Sequence, residues 1–144
     1  MQLSIARVDQ GSRARAAQLT QKTNQFNLTT VRYSEAELAG RMADPNWLAI
    51  SVGVRDRFGD NGIVGIMLAH IVEDRLDVDT FLLSCRVIGR TVETAMLAFL
   101  CDTAQERGLK KICGLVVPTE KNLPARDLYK KHGFSLQSED VPGI

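Results

Sequence analysis

The sequence lacks the features that mark several large classes of protein. No apolar run reaches the roughly 20 residues that a membrane-spanning helix needs. The opening "MQLSIARVDQ" lacks the basic-then-apolar layout of a secretory leader. Only three cysteines occur, Cys85, Cys101 and Cys113, an odd number with no CxxC or Cys/His ligand spacing. A disulfide framework and a metal site are disfavoured, and a reducing, cytoplasmic setting fits. The net charge is only +1, which implies no broad attraction to nucleic acid or membrane, although a local basic site stays open. There is no internal repeat, no low-complexity tract, no G-x-G-x-x-G fingerprint and no Walker-type P-loop. Spacing alone shows no paired-carboxylate or Ser-His-Asp constellation.

What is present is a globular composition, 44% hydrophobic and 24% charged over 144 residues, the size of one domain spanning 1–144. Alternation predicts a strand over 3–8, and an Ala/Gln/Leu/Arg-rich stretch a helix over 12–26 with Ser12 as its cap. Ser34 and Glu37 have capping-box spacing for a helix over 34–45, ended by Pro45. Strands over 47–56 and 63–73 flank a turn at 57–62, and 74–77 turns into a strand over 78–87. Val92, Ala95, Met96, Phe99, Leu100 and Thr103 form the apolar stripe of a helix over 91–107, stopped by Gly108. The nearly all-apolar 110–118 predicts a strand covered on both faces. A helix over 122–133 and a closing strand over 134–137 follow. The order implies a mixed α/β fold, an antiparallel meander followed by a right-handed βαβ crossover, flanked by helices.

One stretch within this pattern points to a ligand. "LLSCRVIGRTVETAML" (82–97) ends a strand, places Arg86 and Arg90 around Gly89, and opens a helix near Thr91. Helix N-termini present unpaired amides and a dipole that favours negative charge. Gly89 lets backbone come close to a ligand, and the two arginines can add charge-assisted bonds to phosphate oxygens. The competing reading is two solvated arginines beside an ordinary turn.

The motif Arg86-x-x-Gly89-Arg90-Thr91 and the later Ala125-x-x-Leu128-Tyr129-x-x-x-Gly133-Phe134 together resemble the GNAT N-acyltransferase superfamily. The resemblance covers nearly the whole chain and implies the GNAT fold. It also implies a pyrophosphate turn for coenzyme A made by Arg86, Val87, Ile88, Gly89, Arg90 and Thr91. Thr91 stands where the superfamily has Gly or Ala, so its branched side chain either crowds the phosphate or bonds it. "QLTQKTNQFNLTT" (18–30), "RFGDNGIVG" (57–65), "DTFLLSCRVIGR" (79–90) and "PTEKNLPARDLY" (118–129) are further similar to the C-terminal GNAT-like region of FkbH-like proteins. Those proteins form glyceryl-acyl-carrier protein on the route to methoxymalonyl units for polyketides. Their HAD-type phosphatase region has no counterpart in these residues, so the resemblance implies either a domain excised from such a protein, with a phosphatase domain as partner in cis or trans, or a stand-alone relative.

The resemblance implies the remaining roles. Tyr129 is the general acid that protonates the leaving thiolate of the pantetheine arm; otherwise it anchors the last helix. Cys85, beside Arg86 and a helix N-terminus, is a candidate nucleophile for a thioester, or a small buried cysteine. Cys101 and Cys113 read as core. Phe81, Leu82 and Leu83 lie on the strand that takes the pantetheine arm as a pseudo-strand. Asn122 and Arg126 are further cofactor contacts, Asn122 also serving as a helix cap. Thr23, Asn24, Gln25, Phe26 and Asn27 border the acceptor site and suit a small polyol, or simply end a helix. Apart from the resemblance, Asp79 in the meander strand is a candidate base, or else pairs with a nearby cation, and His132 reads as a helix C-terminal cap. The expected ligand is coenzyme A, an acyl-coenzyme A, or the phosphopantetheine of an acyl-carrier protein. The alternative is a non-catalytic module that docks a carrier protein for the phosphatase domain.

Overall fold

Apolar alternation places four antiparallel strands side by side in a computed structural model that describes residues 2–23, 26–29, 31–56, 59–84, 91–114, 117 and 128–132. The strands are β1 (Gln2–Arg7), β2 (Trp47–Asp56), β3 (Gly59–Val72), β4 (Arg75–Leu83) and β5 (Lys111–Gly114). They lie in chain order across one sheet. β1 to β4 pair antiparallel, and β5 joins β4 in parallel after the crossover through α3 (Val92–Glu106). The mixed sheet expected from the sequence is therefore observed.

Helices cover both faces. The buried faces of α1 (Arg13–Lys22) and α2 (Glu35–Ala43) pack Ala16, Leu19 and Leu38 against Ile66, Leu68 and Leu82. On the other side α3 and α4 (Leu128–Lys131) pack Val92, Met96, Leu100 and Leu128 against Val52, Met67, Leu76 and Val78. Residues 66 and 68 thus face one layer and 67 the other, as a strand's two-residue period requires.

Several boundaries moved. Ser12 stands at the N-cap of α1 but makes no capping bond. Its hydroxyl turns back to the Asp9 carboxylate at 3.0 Å, a local side-chain turn that competes with capping. α1 stops at Lys22 rather than 26. The hairpin is tighter than expected, since Asp56 already pairs with Gly59. The β3–β4 turn contracts to Glu73 and Asp74. β5 is only partly covered where described, not buried on both faces. Cys101 is exposed and Cys113 only half-buried, so neither is the core residue expected. The closing strand over 134–137 and most of the 122–133 helix lie outside the described residues.

The capping box of α2 is complete. The Ser34 hydroxyl accepts from the Glu37 amide at 3.1 Å, and the Glu37 carboxylate accepts from the Ser34 amide at 3.0 Å. Replacing Ser34 by Ala removes one acceptor and is expected to cost about 1 kcal/mol. Chemical denaturation of Ser34→Ala checks this, with an unchanged slope showing that only stability moved.

Candidate functional site

β4 changes phase at one residue. Leu68 pairs with Thr80 while the next residue, Ala69, pairs with Val78, so Asp79 is an extra residue in β4. Such a bulge re-aims the side chains that follow it. Leu76 and Val78 face α3 before the bulge, and Phe81 and Leu83 face the same layer after it. Uninterrupted alternation would have sent Phe81 and Leu83 to the α1–α2 side.

The pairing of β4 with β5 ends at the same place. Its last matched pair is Val78 with Gly114, and no further ladder follows among the described residues. Tyr129 stands over this point. A Cβ built on Gly114 would lie 2.4 Å from the Tyr129 Cζ, the carbon that carries the hydroxyl, and 2.5 and 2.7 Å from the two flanking ring carbons. Gly114 thus permits a close approach that no other residue would allow. The ring also meets Phe81 edge-on at 6.4 Å between centroids. Burial pushes the Tyr129 phenol well above its ordinary range. The hydroxyl therefore stays protonated at neutral pH, the form a proton donor needs.

The parted edge of β4 is occupied by the chain itself. The Leu83 amide donates to the Phe26 carbonyl at 2.9 Å, and the Leu28 amide to the Phe81 carbonyl at 3.1 Å. Asn27 bridges Leu82 in antiparallel register. On the far side, the Val117 amide donates to the Leu28 carbonyl at 2.7 Å. The Thr29 hydroxyl donates to the Asp79 carbonyl at 2.9 Å. Residues 26–29 thus form a short strand-like wedge between β4 and the chain beyond β5. The Phe26 ring lies 6.4 Å from Phe81, and both side chains are buried.

The bulge also holds a carboxylate. Tyr33 donates its hydroxyl to Asp79 Oδ2, and the buried Thr80 hydroxyl donates to the same oxygen at 2.9 Å. Burial, then the hydrogen bond and charge of Asp79, push the Tyr33 phenol up to about 12, with Arg41 opposing. Sequence reading missed Tyr33, Thr29 and Gly114. For Gly114 a signal existed, because an isolated glycine inside a strand marks a close backbone approach. For Tyr33 none did.

The predicted residues are placed as follows. Tyr129, Phe81, Leu82, Leu83, Phe26 and Asn27 come together at the gap. The backbone of Phe81 and Leu83 expected to receive a pantetheine arm already bonds residues 28 and 26. The Asn27 side chain is buried and donates to the Thr23 carbonyl at 3.1 Å, which also receives the Arg32 guanidinium at 2.8 Å. Thr91 is the N-cap of α3 in a left-handed conformation with φ of 66°, without a capping side-chain bond. A non-glycine residue in that conformation costs about 1 kcal/mol. Glu93 sets a carboxylate in the same first turn, where it complements the helix dipole. His132 contacts the Leu128 carbonyl at 2.8 Å and the Thr94 hydroxyl at 2.9 Å, tying α4 to the start of α3. Cys85, Arg86, Val87, Ile88, Gly89, Arg90, Asn122, Arg126, Asn24 and Gln25 lie outside the described residues.

A sequence profile described as the acetyltransferase (GNAT) family matches residues 16–134. No curated protein matches the chain in sequence. Solved structures match its fold. A ribosomal-protein-alanine N-acetyltransferase from Brucella melitensis biovar Abortus 2308 aligns with a TM-score of 0.76 at 16% identity, covering 98% of this chain and 97% of that one. The ribosomal-protein-S18-alanine N-acetyltransferase from Escherichia coli aligns at 0.73 and 16% identity, covering 95% and 80%. A predicted acetyltransferase from Clostridium acetobutylicum, solved with acetyl-coenzyme A, aligns at 0.70 and 14% identity, covering 97% and 94%. At these identities the likeness is one of fold.

Two predictions follow from the buried phenols. The sequence holds only two tyrosines, Tyr33 and Tyr129. Both have folded pKa values above the ordinary 10.0. Their contribution to stability is complete below pH 10 and is lost as the unfolded chain ionises above it and the folded phenols follow. Phenolate absorbance is expected to stay flat through pH 10 and to rise only with unfolding or near pH 12; a full titration step at pH 10 would contradict the burial. Gly114→Ala is expected to destabilise by about 1–3 kcal/mol through overpacking and to displace the Tyr129 ring, measured as a lower melting temperature and a changed near-ultraviolet dichroism.

Proposed function

This chain belongs to the acetyltransferase (GNAT) family, and from that premise we propose that it draws its acyl group from a pantetheine thioester seated where β4 and β5 part. The observation that carries this is the hydroxyl-bearing carbon of Tyr129 over Gly114, at the last β4–β5 pair. The lone pair of the acceptor attacks the thioester carbonyl carbon. The carbon–sulfur bond breaks and the sulfur leaves with its electron pair. Tyr129 gives its hydroxyl proton to that sulfur, and the proton released by the acceptor restores the phenol through solvent. A phenol raised by burial is a weak acid, but a thiolate forming in the same dry site is a correspondingly stronger base.

The pantetheine is that of an acyl-coenzyme A or of an acyl-carrier protein. The acyl unit is glyceryl, on the route to methoxymalonyl-acyl-carrier protein for a polyketide, with an HAD-type phosphatase domain as partner. What supports this finer reading is the run of similar segments at 18–30, 57–65, 79–90 and 118–129. The strained Thr91, Glu93 at the helix end and the occupied edge of β4 favour a second reading, a docking module for a carrier protein.

Calorimetry of the protein with coenzyme A, acetyl-coenzyme A and a holo-acyl-carrier protein separates the two. Binding of free coenzyme A, lost in Arg90→Ala, supports the coenzyme A-dependent transferase. Binding of the holo-carrier protein alone supports the docking module. In the transferase, Tyr129→Phe is expected to lower kcat at least about 100-fold while the dissociation constant for coenzyme A moves less than about threefold. Unchanged turnover in that variant would remove Tyr129 from the mechanism.

A further inference from the structure

The α1–α2 face of the sheet carries a row of side chains that the acyl chemistry does not use. Ile66 and Leu68 face α1 and α2, so His70, two residues further along β3, points to the same side. Its register partner on β2 is Trp47, and its partner on β4 is Asp77. The His70 and Trp47 rings are stacked, 4.5 Å apart between centroids and 8° from parallel. The Arg41 guanidinium, from the last turn of α2, lies over the same indole at 4.5 Å from its centroid. One ring thus holds a fixed cation and a group whose charge changes near neutral pH. Arg41 has a second neighbour. Its guanidinium also faces the Tyr33 phenol, where it opposes the rise that Asp79 causes. Tyr33 and Thr80 both donate to Asp79 Oδ2, while Oδ1 accepts from no side chain among the described residues. Arg41 therefore stands between an indole on one side and the carboxylate of the bulge on the other.

We propose that Arg41 is a pH-controlled switch arm, resting on Trp47 while His70 is neutral and moving to the Asp79 carboxylate when His70 takes up a proton. A proton on His70 sets two cations against one indole. Each lies 4.5 Å from the ring, so the two are within roughly 9 Å of each other, less than the Debye length of about 10 Å at 0.1 M salt. Their repulsion is therefore not screened away. The other charges around His70 do not absorb it. Asp77 is already paired with Arg75 at 2.9 Å, and on β5 the residues opposite these two are Cys113 and the cationic Lys111. Asp44, at the end of α2, has its carboxylate on the Asn46 amide. The charge free to move is that of Arg41, which is exposed and already faces the Tyr33–Asp79 pair. Its arrival neutralises the carboxylate beside the last described β4–β5 pair, so acidification changes the charge of the candidate site from the far end of the row. The switch goes beyond the thioester reading and is testable without a thioester ligand.

The test is a pH titration of the full chain, followed by tryptophan emission and by nitrogen-15 spectra of the arginine side chains. The sequence holds one tryptophan and two histidines, so emission reports Trp47, and His70→Gln separates the stack from His132. Wild-type emission is expected to show one step between about pH 5 and 8, lost in His70→Gln. The Arg41 Nε–H resonance, assigned through Arg41→Lys, is expected to shift with the same midpoint and to stay flat in His70→Gln. In Asp79→Asn the emission step is expected to remain while the Arg41 shift is lost. An Arg41 resonance that stays fixed through the Trp47 step overturns the proposal, and so does a flat Trp47 emission in the wild type. Both outcomes are read on the wild type, so a variant that does not fold leaves the test intact; thermal melts identify such a variant. An Arg41 shift that persists in folded Asp79→Asn overturns the carboxylate as its destination.

Discussion

The extra residue at Asp79 is the constraint on which the candidate site depends. A strand's side chains alternate, so a single inserted residue exchanges the two faces for everything downstream. Before Asp79, Leu76 and Val78 face α3; after it, Phe81 and Leu83 do so in their turn. That exchange brings Phe81 into the layer that holds Tyr129 and Phe26. Beside it lies the last β4–β5 pair among the described residues, and it carries the carboxylate to which Tyr33 and Thr80 donate. One irregularity thus orients the aromatic layer and places a carboxylate beside it.

An opened parallel sheet exposes unpaired backbone along two edges, which is costly in a dry interior. The chain resolves much of this with its own residues. The Phe26–Leu28 segment pairs with β4 on one side and meets Val117 on the other. Stability and ligand capacity therefore compete for the same groups.

Strand pairing was legible in the sequence where one face is apolar and the turns are short. β2, β3 and β4 follow from alternation and from glycines near the hairpin. The α2 capping box is legible from Ser34 and Glu37 alone, because its bonds span three residues. α3 is legible from its stripe, with Gly108 at φ of 70° as its stop. α1 was read too long because helix propensity ran on through residues 23–26, and propensity does not know that β4 offers hydrogen bonds to Phe26 and Leu28. Tyr129 was found through the residues around it. Tyr33 and Thr29 were not, because their partners lie 46 and 50 residues away.

By itself, then, the sequence determined the order of the described elements, the alternation that buries the central strands and the motif spacing that resembles an acyltransferase. All of these depend on neighbours within a few residues or on simple periodicity. The tertiary structure alone decided the bulge at Asp79, the pairing of residues 26–28 with β4 and the seat of Tyr129 on Gly114. Each of these is a contact between segments distant in the chain, made where one backbone must satisfy another's hydrogen bonds, and local sequence pattern carries no record of such a match.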